Sequence, residues 1–217
     1  MVLAKATESL GAAQVCFDRG YCNSSVSRAY YAMFQAAQAA LTDAGVHRAE
    51  WSHAAVQAVF SSELTRRRKI YRVDLARNLA KGLEFRLTAD YGTWDMTAAR
   101  RPKCYAGAPS SSGTWRRQRI MAKGTPSVLE RRDLLDQHLT SLSLLIKEWC
   151  PDGELDISLA RYEDEDAHVR IFPPDTTGEE ERNRLADGLA DRTLDILSET
   201  GLLILTGVYE PAQRPKH

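Results

Sequence analysis

Leucine recurs at every fourth position within residues 73–91, at Leu75, Leu79, Leu83 and Leu87. The run is too long for an ordinary strand and small or polar residues fill the gaps, so it predicts an amphipathic helix with one apolar stripe. Such a stripe must be buried against a neighbour, and three similar segments precede it. Leu3, Ala6, Leu10, Ala13 and Phe17 step by three and four, and Gly20 stops that helix. Asn23 or Ser24 is placed to cap a second helix ending near Ala44, before Gly45. On it Tyr30, Met33 or Phe34, Ala37 and Leu41 share a face, while Ala29, Ala32, Ala36, Ala39 and Ala40 let another helix approach closely. A third helix starts near Trp51, carries Ala55, Val56, Val59 and Phe60, and reaches Leu64 before the run Arg66, Arg67, Arg68, Lys69 breaks the pattern. Together these segments predict an antiparallel helical bundle.

Beyond residue 125 the chain first repeats the helical period, with Val128, Leu135, Leu142 and Trp149 seven apart and Leu139 and Ile146 between them. Then the period changes. Residues 154–162 and 166–172 alternate apolar and polar side chains around the acidic run at 163–166, which predicts a hairpin. A helix over about 178–200 and a final strand at 201–209 complete an α-β-β-α-β unit with a three-stranded sheet. The predicted fold class is therefore mainly α, an antiparallel helical bundle followed by a small α+β unit. Three regions result: a bundle over 1–95, a basic linker over 96–125, and the α+β unit over 126–217, whose first helix is a candidate to close the bundle. The linker has GAPSSSG at its centre, no helical period and no acidic residue. A second explanation for the change of composition after Trp94 is a junction between two reading frames, with Met121 as a former start.

The formal charge is +0, which hides an asymmetry: residues 1–150 hold 22 Lys+Arg against 13 Asp+Glu, and residues 151–217 hold 7 against 16. The first part suits a polyanion and the second repels one. Cys16, Cys22, Cys104 and Cys150 show no CxxC spacing, so neither a zinc site nor a redox motif is expected and no metal is assigned. The absence of a signal-like segment and of a long apolar run predicts a soluble, cytoplasmic protein.

Three segments carry a family resemblance: SVSRAYYAMFQAAQAAL at residues 25–41, WSHAAVQAVF at 51–60 and FRLTADYG at 85–92. A Tyr-Tyr pair in an alanine-rich helix, a His-led apolar helix and then Arg-x-x-x-Asp-Tyr resemble the HEPN domain of prokaryotic proteins over residues 1 to about 95. The resemblance implies a role in RNA metabolism, defence or a toxin–antitoxin pair, a nucleotidyltransferase-type partner, RNA contact and a homodimer. It implies no cofactor. In this chain a RNA- or partner-binding module is the first expectation, and a metal-independent ribonuclease toxin the alternative.

Members that cut RNA use Arg followed, after four to six residues, by His at a dimer interface. The chemistry is sound, because His exchanges a proton near neutral pH while Arg holds a phosphate. Arg48 with His53, Arg131 or Arg132 with His138, and Arg161 with His168 all meet the spacing. The last pair falls on the predicted hairpin and is set aside; the middle ones lie outside the resemblance. At the family's expected position stands Arg86, but Tyr91, Gly92 and Thr93 occupy the places for His, with Asp90 the nearest polar group. Candidate catalytic residues are thus Arg86, Asp90, Tyr91, Arg48 and His53. A structural reading has Arg86, Asp90 and Tyr91 knitting helices together. Of the adjacent Tyr30 and Tyr31, about a hundred degrees apart on a helix, one packs inside and the other presents its hydroxyl near Arg28. Candidate nucleic-acid contacts are Arg66, Arg67, Arg68 and Lys69, with Trp115, Arg116 and Arg117 offering a stacking ring beside charge. Asp156 lies on an acidic strand without the Asp-x-Asp pair that a two-metal site needs, and an ordinary strand is expected there.

Overall fold

The computed structural model describes residues 2–92 and 128–210. Within them the order is α1 (Val2–Asp18), α2 (Cys22–Asp43), α3 (His53–Val59) running directly into a π-helical segment (Phe60–Arg67), α4 (Val73–Tyr91), α5 (Val128–Trp149), β1 (Glu154–Ser158), β2 (Ala167–Phe172), α6 (Glu179–Thr200) and β3 (Ile204–Val208). The molecule is mainly helical with one small sheet. The linker, with Trp115, Arg116 and Arg117, lies outside the described residues.

The first two helices end where glycine reaches positive φ, at Gly20 and Gly45, both +79°. The start of α2 differs from expectation. Asn23 and Ser24 lie inside the helix, and Tyr21 precedes it without a side-chain cap. Ser25 Oγ is committed elsewhere, donating to the Ala13 carbonyl of α1 at 2.9 Å. In contrast α3 has a built cap, with Ser52 Oγ accepting from Ala55 N–H at 3.1 Å.

Two cores lie on opposite faces of the sheet. In the first, Tyr30 and Leu41 of α2, Val56 and Val59 of α3, Phe60 and Leu64 of the π segment, and Leu79, Leu83 and Leu87 of α4 meet Leu194, Leu197, Leu203 and Leu205. The second joins Leu139, Leu142 and Ile146 of α5 to Ala167, Val169, Ile171, Leu185, Leu189, Ile196 and Ile204. Side chains of extended backbone alternate, so Leu203, just before β3, and Leu205 within it join the bundle core while Ile204 joins the core with α5. That explains why residues 202–205 form an unbroken apolar run. The helix weighed above for closing the bundle thus puts its stripe on the sheet, while α6 and β3 lie against the bundle.

β2 is central, antiparallel to β1 and parallel to β3. In the β1/β2 register Asp156 faces Arg170, and the two are ion-paired at 3.0 Å. Asp156 therefore serves the sheet. A charged ladder adds to the apolar contact between the halves: Lys81 meets Asp187, Arg77 meets Asp191, each at 2.6 Å, and Arg66 meets Asp195. The three aspartates are four apart, hence on one face of α6.

Candidate functional site

The polar residues around Arg86 come from four elements. Arg86 sits mid-α4, one turn before Asp90, whose Oδ2 lies 2.7 Å from Arg86 Nε. Tyr30 and Tyr31 diverge on α2 as helical geometry requires. Tyr30 is buried in the core, whereas the Tyr31 hydroxyl accepts from Arg86 Nη2 at 3.1 Å, not from Arg28 as the sequence suggested. The Arg86 guanidinium also lies over the Tyr31 and Tyr91 rings, at 5.3 and 5.8 Å from their centroids. His53, first residue of α3, closes the cluster beside Tyr30.

The fourth element is the acidic turn between β1 and β2. Glu163 pairs with Arg86 Nη1, and its other oxygen lies 3.1 Å from His53 Nε2. Asp164 accepts from Ala54 N–H at 3.1 Å. Tyr162 stacks on Tyr91 with centroids 4.9 Å apart and planes 3° from parallel. One residue on, Glu165 accepts from the backbone N–H groups of Tyr162 and Glu163, and Asp166 holds Arg131 at 2.7 Å and Leu203 N–H at 2.8 Å.

Protonation follows from these contacts. Burial lowers the His53 pKa, and the nearby Asp164 and Glu163 do not fully offset it, so the ring is neutral near pH 7. Tyr30, whose own pKa burial and Asp164 raise well above normal, donates to His53 Nδ1 at 2.6 Å. The proton of His53 is then on Nε2, facing Glu163. Burial would lower the Arg86 pKa, but the adjacent Glu163 carboxylate, then Tyr31 and Asp90, outweigh it and keep the guanidinium charged.

Beneath the turn lies a second, deeper network. His168 Nδ1 meets Glu84 at 3.0 Å and Nε2 meets Glu165 at 3.2 Å, all three side chains being almost wholly buried. Tyr209 donates to the other Glu84 oxygen at 2.7 Å and bonds Thr88 at 2.8 Å. Burial pushes the His168 pKa down; bonding and charge from Glu84, then Glu165, push it up further, and the net shift is upward. With a carboxylate on each ring nitrogen and a raised pKa, His168 ties α4, β2 and the turn together in a setting that favours its charged form.

Of the residues singled out in the sequence, Arg86, Asp90, Tyr91 and His53 converge here. Arg48 instead lies over the Trp51 ring at 5.3 Å. Arg66 is held by Asp195, while Arg67 and Arg68 face Glu63 and Arg68 also donates to the Ala44 carbonyl. Lys69 is exposed, at φ +52°. Arg131 is held by Asp166. His168, set aside as a hairpin residue, proved to be the centre of the buried network. Glu84, Tyr209 and residues 162–166 went unnoticed as parts of a site; the acidic run opposite a basic half was the signal that pointed to them.

A helical bundle carrying Arg, His and paired Tyr side chains in one polar cluster is the class that fold and site define. The family model for the HEPN domain matches residues 1–103, just under half of the chain, which is consistent with a HEPN domain in the N-terminal part; such domains are generally associated with RNA-related, toxin or defence functions. The C-terminal half lies beyond the match. No curated protein and no solved structure matches the chain. Among the described residues no helix is long and apolar enough to cross a membrane.

Proposed function

We propose that this chain is a HEPN protein of a prokaryotic RNA-metabolism, defence or toxin–antitoxin system that acts by binding RNA, not by cleaving it. One observation carries the reading: the His53 Nδ1 lone pair is taken by the Tyr30 hydroxyl and Nε2 faces the Glu163 carboxylate, while Arg86 is matched by Asp90 and Glu163. A general base needs a free lone pair within reach of the proton it removes, and His53 offers none in this arrangement. A homodimer, and a nucleotidyltransferase-type protein encoded beside it, fit the same family setting.

The ribonuclease alternative has its own support, since Arg86 and His53, far apart in sequence, meet the same Glu163 carboxylate. Incubation with total RNA in EDTA separates the two. Retention of intact RNA in a mobility-shift assay, weakened by Arg86→Ala, is the expected result. Cleavage that His53→Ala or Arg86→Ala abolishes would replace the binding reading with the nuclease.

A further inference from the structure

Glu163 and Asp164 belong to the C-terminal unit yet spend their charge on the HEPN domain. Their neighbours Glu165 and Asp166 are anchored on their own side by His168, Arg131 and Leu203 N–H. Two carboxylates therefore reach across from a fixed base. The fit at their tip is imperfect. Arg86 Nε and Nη1 lie within ion-pair distance of Asp90 and Glu163 but have no hydrogen bond of proper geometry, and neither do the buried Glu163 Oε2 and Asp164 Oδ1. Around one guanidinium and a neutral imidazole stand three carboxylates: Asp90, Glu163 and Asp164. Like charges so placed repel, and buried polar atoms without hydrogen bonds are costly.

We propose that Glu163 is an internal anion seated in a phosphate-accepting site formed by Arg86, Tyr31 and His53, and that an external phosphate group binds there by displacing the turn. The proposal rests on the RNA-binding reading above and deepens it. Phosphate suits the donors better than a carboxylate does, because its tetrahedral oxygens present acceptors in several directions while a carboxylate presents two in a plane. Arg86, nearly fully buried against the Tyr31 and Tyr91 rings, is held rigidly for such a contact. Opening needs residues 162–164 to move, breaking the exposed Tyr91/Tyr162 stack, the Ala54 N–H bond to Asp164 and the Tyr162 and Glu163 N–H bonds to Glu165, while the Glu165 and Asp166 side chains stay on His168 and Arg131.

The test is calorimetric titration of the full chain with inorganic phosphate at fixed ionic strength, for the parent and for Glu163→Gln/Asp164→Asn. Removing the competing charge is expected to tighten phosphate binding at least about tenfold, the scale of one charge-assisted hydrogen bond. Adding Arg86→Gln is expected to abolish the gain. No gain, or a gain indifferent to Arg86, overturns the proposal. Should the double variant misfold, amide exchange in the parent decides: faster exchange at residues 160–164 in phosphate than in chloride supports displacement, and equal rates refute it. A short single-stranded oligoribonucleotide identifies the source of the phosphate. Competition with inorganic phosphate makes it a phosphodiester. Phosphate binding without competition supports a site for free phosphate and counts against the RNA-binding reading alone. RNA retained equally by parent and double variant, with no phosphate gain, leaves that reading standing and overturns the displaceable turn.

Discussion

Replacing His168 by Gln tests whether the buried network behaves as a charged unit. Glu84, Glu165 and His168 are 0, 0 and 2 % exposed, so water screens none of them. Breaking a buried pair by removing one partner costs about 3–5 kcal/mol. Glutamine can still donate to one of the two carboxylates, which puts the expected loss near the lower end, about 3 kcal/mol. For a chain of this size that is a fall in Tm of about 6–12 °C. The pH profile adds a readout that loss of packing would not reproduce. Because the folded pKa of His168 is raised above the ordinary 6.5, its contribution is complete below about pH 6.5 and is lost as pH rises through the raised value, with a limiting slope of about 1.4 kcal/mol per unit. His53 acts with opposite sign: its lowered pKa costs stability as pH falls below about 6.5. The two are separated by measuring urea unfolding from pH 6 to 9, where Tyr30 and Tyr209, both raised well above 10, stay neutral in the folded state. The parent should lose stability on the alkaline side, and His168→Gln should lack that slope. A variant about as stable as the parent at pH 6, or one with the same alkaline slope, would refute a buried imidazolium.

Two further outcomes test how the halves are joined. At Gly207 an added Cβ would stand 2.4 Å from Tyr209 Cε2 and 2.9 Å from its hydroxyl, so Gly207→Ala must move a buried ring bonded to Glu84 and Thr88. A loss of about 1–3 kcal/mol in urea unfolding is expected, and a neutral effect would mean that the ring is not confined. The Arg77–Asp191 pair is partly exposed, so a double-mutant cycle to Ala should give a coupling of about 0.2–1 kcal/mol that shrinks at high salt. A coupling above about 2 kcal/mol, or one insensitive to salt, would contradict a screened interface ladder.

Much of the architecture was legible before any coordinates. Leu79, Leu83 and Leu87 are buried as their spacing required, because a 3.6-residue period leaves a leucine at every fourth position little choice of face. The hairpin and the last strand also follow from alternation and from an apolar run bounded by turn residues. The start of α2 differs because Asn23 and Ser24 satisfy the cap preference in sequence, whereas the helix begins at Cys22 and takes both inside it.

The site was legible only in part. Arg86, Asp90 and His53 drew notice through the family pattern, and the Arg86–Asp90 pair follows from i,i+4 geometry. What stands opposite them did not. Glu163 lies more than seventy residues beyond Arg86 in the chain, and no local period encodes such a meeting. The sequence by itself determined the helical stripes, the change of period after residue 150 and the opposite charges of the two halves. Tertiary structure alone decided that these charges meet each other. The buried Arg86 guanidinium requires a counter-ion and takes Glu163 from the C-terminal unit, while the buried His168 of that unit takes Glu84 from the bundle beside its own Glu165.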